Sequence, residues 1–219
     1  MRISKFDKNH PLAVEAKKRV PTILDSIKPA ALIDLVKQTP SCRGVLTGTI
    51  AELQFLDFVR SSPEFSGFYK PDDHNRAENK IDLRVIYKGQ PVTFQLKSIQ
   101  TNSIKWNLKN GNLEAGVQND GSDSRDIRLP NGHTVHTTLY KFGDYDILAV
   151  PLFPFTGKWD FAYLLNADCT TSTAKKYNPA DRKHLINSLE KITFPLSGRW
   201  TDNIFKAIEE LFARRKLIP

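Results

Sequence analysis

The stretch Ile81–Lys97, IDLRVIYKGQPVTFQLK, constrains this chain most. Ile81, Leu83, Val85 and Tyr87 alternate with Asp82, Arg84 and Ile86; after Lys88-Gly89, Val92, Phe94 and Leu96 alternate with Thr93, Gln95 and Lys97. Two period-two runs around a two-residue turn signal predict a β-hairpin with one apolar face. With Lys88-Gly89 as the loop, Tyr87 faces Gln90 and, counting outwards, Asp82 faces Gln95, while Lys97 points to the same face one pleat along. That register makes 82 and 95 a non-hydrogen-bonded pair, the closer kind, and sets Pro91 where its missing N–H costs no ladder bond. An acid, an amide and a lysine converging on a rigid hairpin point to a metal-assisted site. The same spacing also fits a cross-strand ion pair on an exposed sheet face, with Gln95 as a neutral spacer.

The flanking sequence supplies elements to bury the hairpin. Pro11, Pro21 and Pro29 each precede helix-like apolar spacing, such as Ile23, Leu24, Ile27 and Ala31, Leu32, Leu35, Val36, which predicts short helices beginning at prolines; Lys17, Lys18 and Arg19 read as an exposed helical face. A further helix is predicted in RGVLTGTIAELQFLDFVRSS, with Ile50, Leu53, Phe55, Leu56, Phe58 and Val59 inward and Ser61-Ser62-Pro63 as its stop. Thr49 followed by Glu52 fits a capping box at its start. Residues 61–80 are turn-rich, and their acids Asp72, Asp73 and Glu78 compete with Asp82 as metal ligands. DILAV at 146–150 and WDFAYLL at 159–165 read as central strands. Asn178-Pro179 predicts a helix to about Ile192 with Leu185, Ile186 and Leu189 inward. Thr201-Asp202 predicts a last helix with Ile204, Phe205, Ile208, Leu211 and Phe212 inward, its terminal Arg214, Arg215 and Lys216 suiting the helix dipole.

Between the hairpin and those strands, residues 98–141 mix polar, basic and aromatic side chains with the turn signals Asn110-Gly111, Asp120-Gly121 and Asn131-Gly132. The segment reads either as a surface that grips nucleic acid or as connecting ribbons with solvated charges. Charge bears on this: 32 Lys and Arg against 24 Asp and Glu leave a net +8, which favours an anionic partner. At 219 residues and 40% hydrophobic, the chain is expected to bury one sizeable core with a small N-terminal helical annex. Cys42 and Cys169 sit in no zinc-ligand spacing, and no phosphate-binding glycine loop, Cys-His pattern or nucleophile elbow occurs, so no nucleotide cofactor is expected. With no apolar leader in MRISKFDKNH and no run long enough for a bilayer, the expectation is a soluble, cytoplasmic protein with no membrane partner.

Phosphodiester hydrolysis needs an activated water, charge neutralisation at phosphorus and help for the departing oxygen, much of which a hard divalent cation supplies. Mg²⁺ keeps several waters and needs only one or two carboxylates beside neutral oxygens. Asp82 offers a carboxylate, Gln95 an amide oxygen, and Lys97 a group to orient or deprotonate water. A helix bearing Glu52, then Asp82, then Gln95-Leu96-Lys97 with twelve residues between Asp82 and Gln95 resembles the PD-(D/E)xK nuclease superfamily, in its Gln-x-Lys variant. The likeness covers roughly residues 45–165; no proline precedes Asp82, and Gln95 stands where an acid is commoner.

The resemblance implies an α/β, restriction endonuclease-like fold: an αβββαβ core with a central mixed sheet flanked by helices, plus extra N- and C-terminal helices. It implies one nuclease domain over 1–219, with an N-terminal helical region at 1–44, a catalytic core at 45–165, a DNA-recognition segment at 98–141 and C-terminal helices at 178–219. It further implies Mg²⁺ as cofactor, with Mn²⁺ able to substitute, Asp82 as principal ligand, the Leu96 carbonyl as another, Gln95 at the second acidic position, Lys97 beside the nucleophilic water, and Glu52 assisting directly or through water. The expected function is therefore Mg²⁺-dependent cleavage of double-stranded DNA by a homodimer, as in a type II restriction enzyme of a prokaryote. A structure-selective junction or repair nuclease and a non-catalytic DNA-binding module are the alternatives. Lys105, Arg125, Arg128, His133 and Lys141 are the expected DNA contacts.

Overall fold

The computed structural model describes residues 11, 28–71 and 81–216. The basic cluster Lys17, Lys18 and Arg19, the acids Asp72, Asp73 and Glu78, and the expected helical spacing at Ile23, Leu24 and Ile27 lie outside the described residues. The chain divides into two compact units, Met1–Leu46 and Thr47–Pro219.

In the first unit, α1 (Pro29–Gln38) starts at a proline as expected; after Thr39 a second helix, α2 (Pro40–Ser61), begins at another, and from Thr47 on it belongs to the second unit. Proline serves well at that position because its missing N–H would be unpaired there anyway. The start at Pro40 overturns the capping box: Thr49 lies inside α2, because Gly44 and Gly48 weaken helix propensity without ending the helix. The inward stripe also differs from the expectation. Ala51, Phe55 and Val59, spaced at four, are buried, whereas Leu53 and Phe58 face outwards.

The second unit is built on a five-stranded mixed sheet ordered β1 (Phe65–Tyr69), β2 (Leu83–Tyr87), β3 (Gln90–Leu96), β8 (Ile147–Pro151) and β9 (Phe161–Leu165), in which only β3 and β8 run parallel. On one face, Leu83, Val85, Tyr87, Val92 and Phe94 meet Phe55 and Val59 of α2 and Ile204, Ile208 and Phe212 of the last helix, α5 (Ile204–Lys216). Phe55 stands edge-on to Phe94 and Phe161, with ring centres 5.2 and 5.1 Å away. β8 and β9 are buried along their whole length, as continuous apolar runs predict.

The parallel pairing of β3 and β8 requires a crossover, and here it contains β4 (Lys105–Asn107), β5 (Asn112–Gln118), β6 (Asp120–Arg128) and β7 (Thr134–Leu139) rather than the helix of the expected αβββαβ order. β10 (Leu189–Phe194), β5 and β4 make a second sheet; Ala115, Val117 and Ile192 pack with Leu148, Val150 and Leu164, filling the face that such a helix would cover. β6 and β7 form a two-stranded ribbon. Asp120-Gly121 is not a turn but lies inside β6, whereas Gly111 and Gly132, at φ 63° and 86°, sit between strands as their turn signals predict.

Two short helices complete the order, α3 (Phe153–Thr156) and α4 (Pro179–Arg182). Asn178 caps α4 as expected, accepting from the Asp181 N–H at 2.8 Å, but the helix stops after one turn. Leu185 and Ile186 are buried in bridges; Leu189 belongs to β10 and is exposed, because Glu190 and Ile192 take the inward positions. Glu190 is fully buried and accepts from Thr170 Oγ1 at 2.9 Å and Arg199 Nη2 at 3.2 Å. α5 presents the predicted apolar stripe, and its terminal cations also fasten it: Arg215 Nη2 donates to Asp146 Oδ1 at 2.6 Å, and Asp146 Oδ2 accepts from the Thr93 N–H and hydroxyl of β3, both at 2.8 Å. Among the described residues, no helix is long and apolar enough to cross a membrane.

Candidate active site

The β2–β3 hairpin has the expected register, with Tyr87 opposite Gln90, Val85 opposite Val92 and Pro91 opposite Ile86. Lys88 and Gly89 both take positive φ, 48° and 77°, the conformation that a tight two-residue loop between twisted strands demands. The ladder ends one pair before the sequence predicts, at Leu83 and Phe94. Asp82 is not squarely opposite Gln95: its N–H donates to the Phe94 carbonyl at 2.8 Å, and its Oδ2 accepts from Gln95 Nε2 at 2.5 Å and the Leu96 N–H at 2.6 Å. Pulling the carboxylate onto the Leu96 N–H turns the chain off the ladder there, yet keeps acid and amide together. Among the described residues Asp82 and Lys97 form no ion pair, so the simple cross-strand pair is not what this face holds.

Gln95 is 3% exposed, and its Oε1 is buried without a hydrogen-bond partner. An orphan acceptor against a carboxylate is costly unless a cation or donor joins it, so these groups fit a hard cation that takes oxygen ligands. Burial, with a smaller push from Glu52, raises the Asp82 carboxyl from its ordinary 3.8 to about 6, although the Leu96 N–H, Lys97 and Lys70 draw it down. Lys97 is shifted down by burial, and further by Arg125, against the opposing pull of Asp82, Asp120 and Glu52. Its ammonium therefore loses a proton more readily than an exposed lysine.

Glu52, now a mid-helix residue, faces this group rather than capping anything. With Asp82, Leu96 and Lys70 it lines a small recess beside the cleft, and its Oε2 accepts from Lys70 Nζ at 2.9 Å. Among the described residues no cluster of three or more His, Cys, Asp or Glu could hold a metal. The adjoining cleft and recess bring Asp82 near the Gln95 amide and near Glu52.

Asp82, Gln95 and Lys97 share a cleft of about 390 Å³ with residues 121–125 and Tyr140. Sequence reasoning missed Tyr140. Its buried ring is in reach of two basic side chains, with Lys97 Nζ 5.5 Å and the Arg125 guanidinium 5.2 Å from its centre. Burial raises its hydroxyl well above the usual tyrosine value, so it stays protonated. No motif announces it; it sits in TTLYKFG, one residue beyond β7.

The expected DNA contacts fall in three places: Arg125 in the cleft, Arg128, His133 and Lys141 together at the ribbon, and Lys105 on β4. Lys105 lies on β4, 4.0 Å from Glu114; Lys141 Nζ donates to the Arg128 carbonyl at 3.4 Å; and His133 Nδ1 is 2.9 Å from Asp181 Oδ1 beside the ribbon turn. Arg128 is exposed on the ribbon.

No family model matches the chain, and no curated protein does. Among solved structures, it is similar to a bacterial homing endonuclease, I-Ssp6803I, at 15% identity over 64% of this chain and 86% of that one. The TM-score of 0.34 is too low for that likeness to bear on fold or function.

Proposed function

We propose that this protein is a metal-dependent endonuclease that hydrolyses phosphodiester bonds in double-stranded DNA, a sequence-specific enzyme of the type II restriction kind acting as a homodimer. One observation carries the reading: Asp82 and the orphan Gln95 Oε1 stand together beside the half-buried Lys97 in one cleft. Mg²⁺, or Mn²⁺ in its place, would supply charge neutralisation at the phosphate and a more acidic water. Asp82, Gln95 Oε1 and the Leu96 carbonyl would hold it, and Glu52 would assist directly or through water.

The chain's own part follows from the pocket. Lys97, desolvated and shifted down, orients the attacking water and takes up its proton, then offsets the charge that builds on the phosphate. Tyr140, held protonated, sets its ring beside Lys97 and Arg125 at the cleft without adding a negative charge there. The products are a 5′ phosphate and a 3′ hydroxyl. A duplex cut by one site per subunit calls for two subunits related by a twofold axis.

A plasmid digest with and without Mg²⁺ tests this. Discrete, sequence-dependent fragments that vanish with EDTA support the reading. Cutting confined to branched DNA would make the protein a junction nuclease, and binding without cutting a DNA-binding module; intact plasmid with no binding would end the proposal.

A further inference from the structure

We infer that Arg125 grips the phosphate that is cut, through the Nε/Nη2 edge of its guanidinium; this rests on the nuclease reading. β6 and β7 pair at Asp120 with Leu139 and again at Arg125 with Thr137, so extra residues on β6 are thrown out of the ladder. Those residues, 121–124, line the cleft that also holds Asp82 and Gln95. Arg125 folds back beneath them. Its Nη1 donates to the Thr138 carbonyl at 3.4 Å, its plane lies against Tyr140, and a Cβ on Gly121 would stand 2.8 Å from Nη1. Glycine at 121 thus makes room for a guanidinium that three neighbours locate.

Two of its donors are left over. Nε and Nη2 are buried without a hydrogen-bond partner; Nη2 makes a long ion pair, 3.9 Å, with Asp144 Oδ2, which already accepts the Lys141 N–H at 3.0 Å. These two N–H groups point the same way and match two oxygens of one oxyanion, a geometry that lysine cannot copy. In a cleft that also holds Lys97 and the Asp82–Gln95 pair, that oxyanion is the phosphodiester. Arg125 is therefore assigned the non-bridging oxygens, where it stabilises the charge that builds as water attacks.

The test uses the full chain, Arg125→Gln, Arg125→Lys and Gly121→Ala, with circular dichroism to confirm folding. Binding to a duplex in EDTA is measured against salt, and single-turnover cleavage with Mg²⁺. Loss of one phosphate contact flattens the slope of log affinity against log salt by about 0.9, which is expected for Arg125→Gln and not for Arg125→Lys. Cleavage by Arg125→Gln is expected to fall about 100-fold. Gly121→Ala, which keeps the charge but displaces the guanidinium, should also cut more slowly than wild type. An Arg125→Gln protein with wild-type slope and rate, or a Gly121→Ala protein that cuts normally, overturns the assignment. Wild-type protein that neither binds nor cuts DNA overturns the nuclease reading instead.

Discussion

Asp82→Asn should make this protein more stable while removing its activity. The Asp82 carboxyl is raised from 3.8 to about 6, mainly because burial penalises its charged form. A raised value means that the folded state holds the proton more tightly than the unfolded chain. The penalty is absent below about pH 4, grows between about pH 4 and pH 6, and is complete above pH 6. At about 1.4 kcal/mol per tenfold change in proton affinity, it reaches about 3 kcal/mol at pH 7. Asparagine keeps the shape and an acceptor for the Leu96 N–H, and a turned Gln95 amide lets its orphan Oε1 accept from the new NH₂. The variant should therefore melt roughly 6–12 °C above wild type near pH 7, given about 2–4 °C per kcal/mol for a chain of this size. The gap should close near pH 4. Added Mg²⁺ should raise the melting point of wild type and not of the variant, because only the native carboxylate rewards binding. Thermal melts of both proteins from pH 4 to pH 8 are the assay. A gap that does not vary with pH, or a variant less stable at pH 8, refutes the reasoning.

Three further outcomes follow. Lys97→Ala should lower single-turnover cleavage at least about 100-fold while duplex binding survives, and unchanged rates would remove Lys97 from the site. Glu52→Gln loses only a partly exposed ion pair to Lys70, so chemical denaturation should register no more than about 1 kcal/mol, yet cleavage should drop more than about tenfold; equal, small effects on both would leave Glu52 a surface residue. Glu190→Ala should lower stability by about 3 kcal/mol in urea titrations, since Arg199 and Thr170 lose a fully buried acceptor, and a loss below about 1 kcal/mol would show that water replaces it freely.

The parts of this fold legible in sequence are those whose pattern is local. Alternation around Lys88-Gly89 sets the hairpin register because one slipped residue would turn Leu83, Val85 and Tyr87 out of the core. β8 and β9 are legible as unbroken apolar runs, and α5 from its stripe, although it starts at Ile204 after Asn203, which accepts from the Lys206 N–H, and the expected starting Thr201 lies in a bridge with Tyr163. Residues 184–194 mislead, because HLINSLEKITF carries helix-like apolar spacing and hides a charge, Glu190, whose burial depends on the distant Arg199 and Thr170. The start of α2 misleads because a capping-box pattern at Thr49 is also compatible with a helix interior. In the candidate site, Asp82, Gln95 and Lys97 share one hairpin and can be seen together in sequence. Tyr140 and Arg125 reach them only through the irregular pairing of β6 with β7, which nothing in the order of residues announces.

The crossover between β3 and β8 bears on the order of assembly. The β2–β3 hairpin closes over a few residues, and such hairpins form within about 1–10 μs, so Asp82 and Gln95 meet early. Phe94 must wait for Ile147, about fifty residues on, and closing a loop of that length is entropically slower. Until β8 docks, the far edge of β3 stays open, presenting unpaired backbone groups beside Val92, Phe94 and Leu96. The hairpin's share of the cleft is thus complete before the rest arrives, and the interval is when a neighbouring chain can add its own strand to β3. Refolding yield should therefore fall with protein concentration, and a soluble strand-like peptide of sequence ILAVP should compete for that edge.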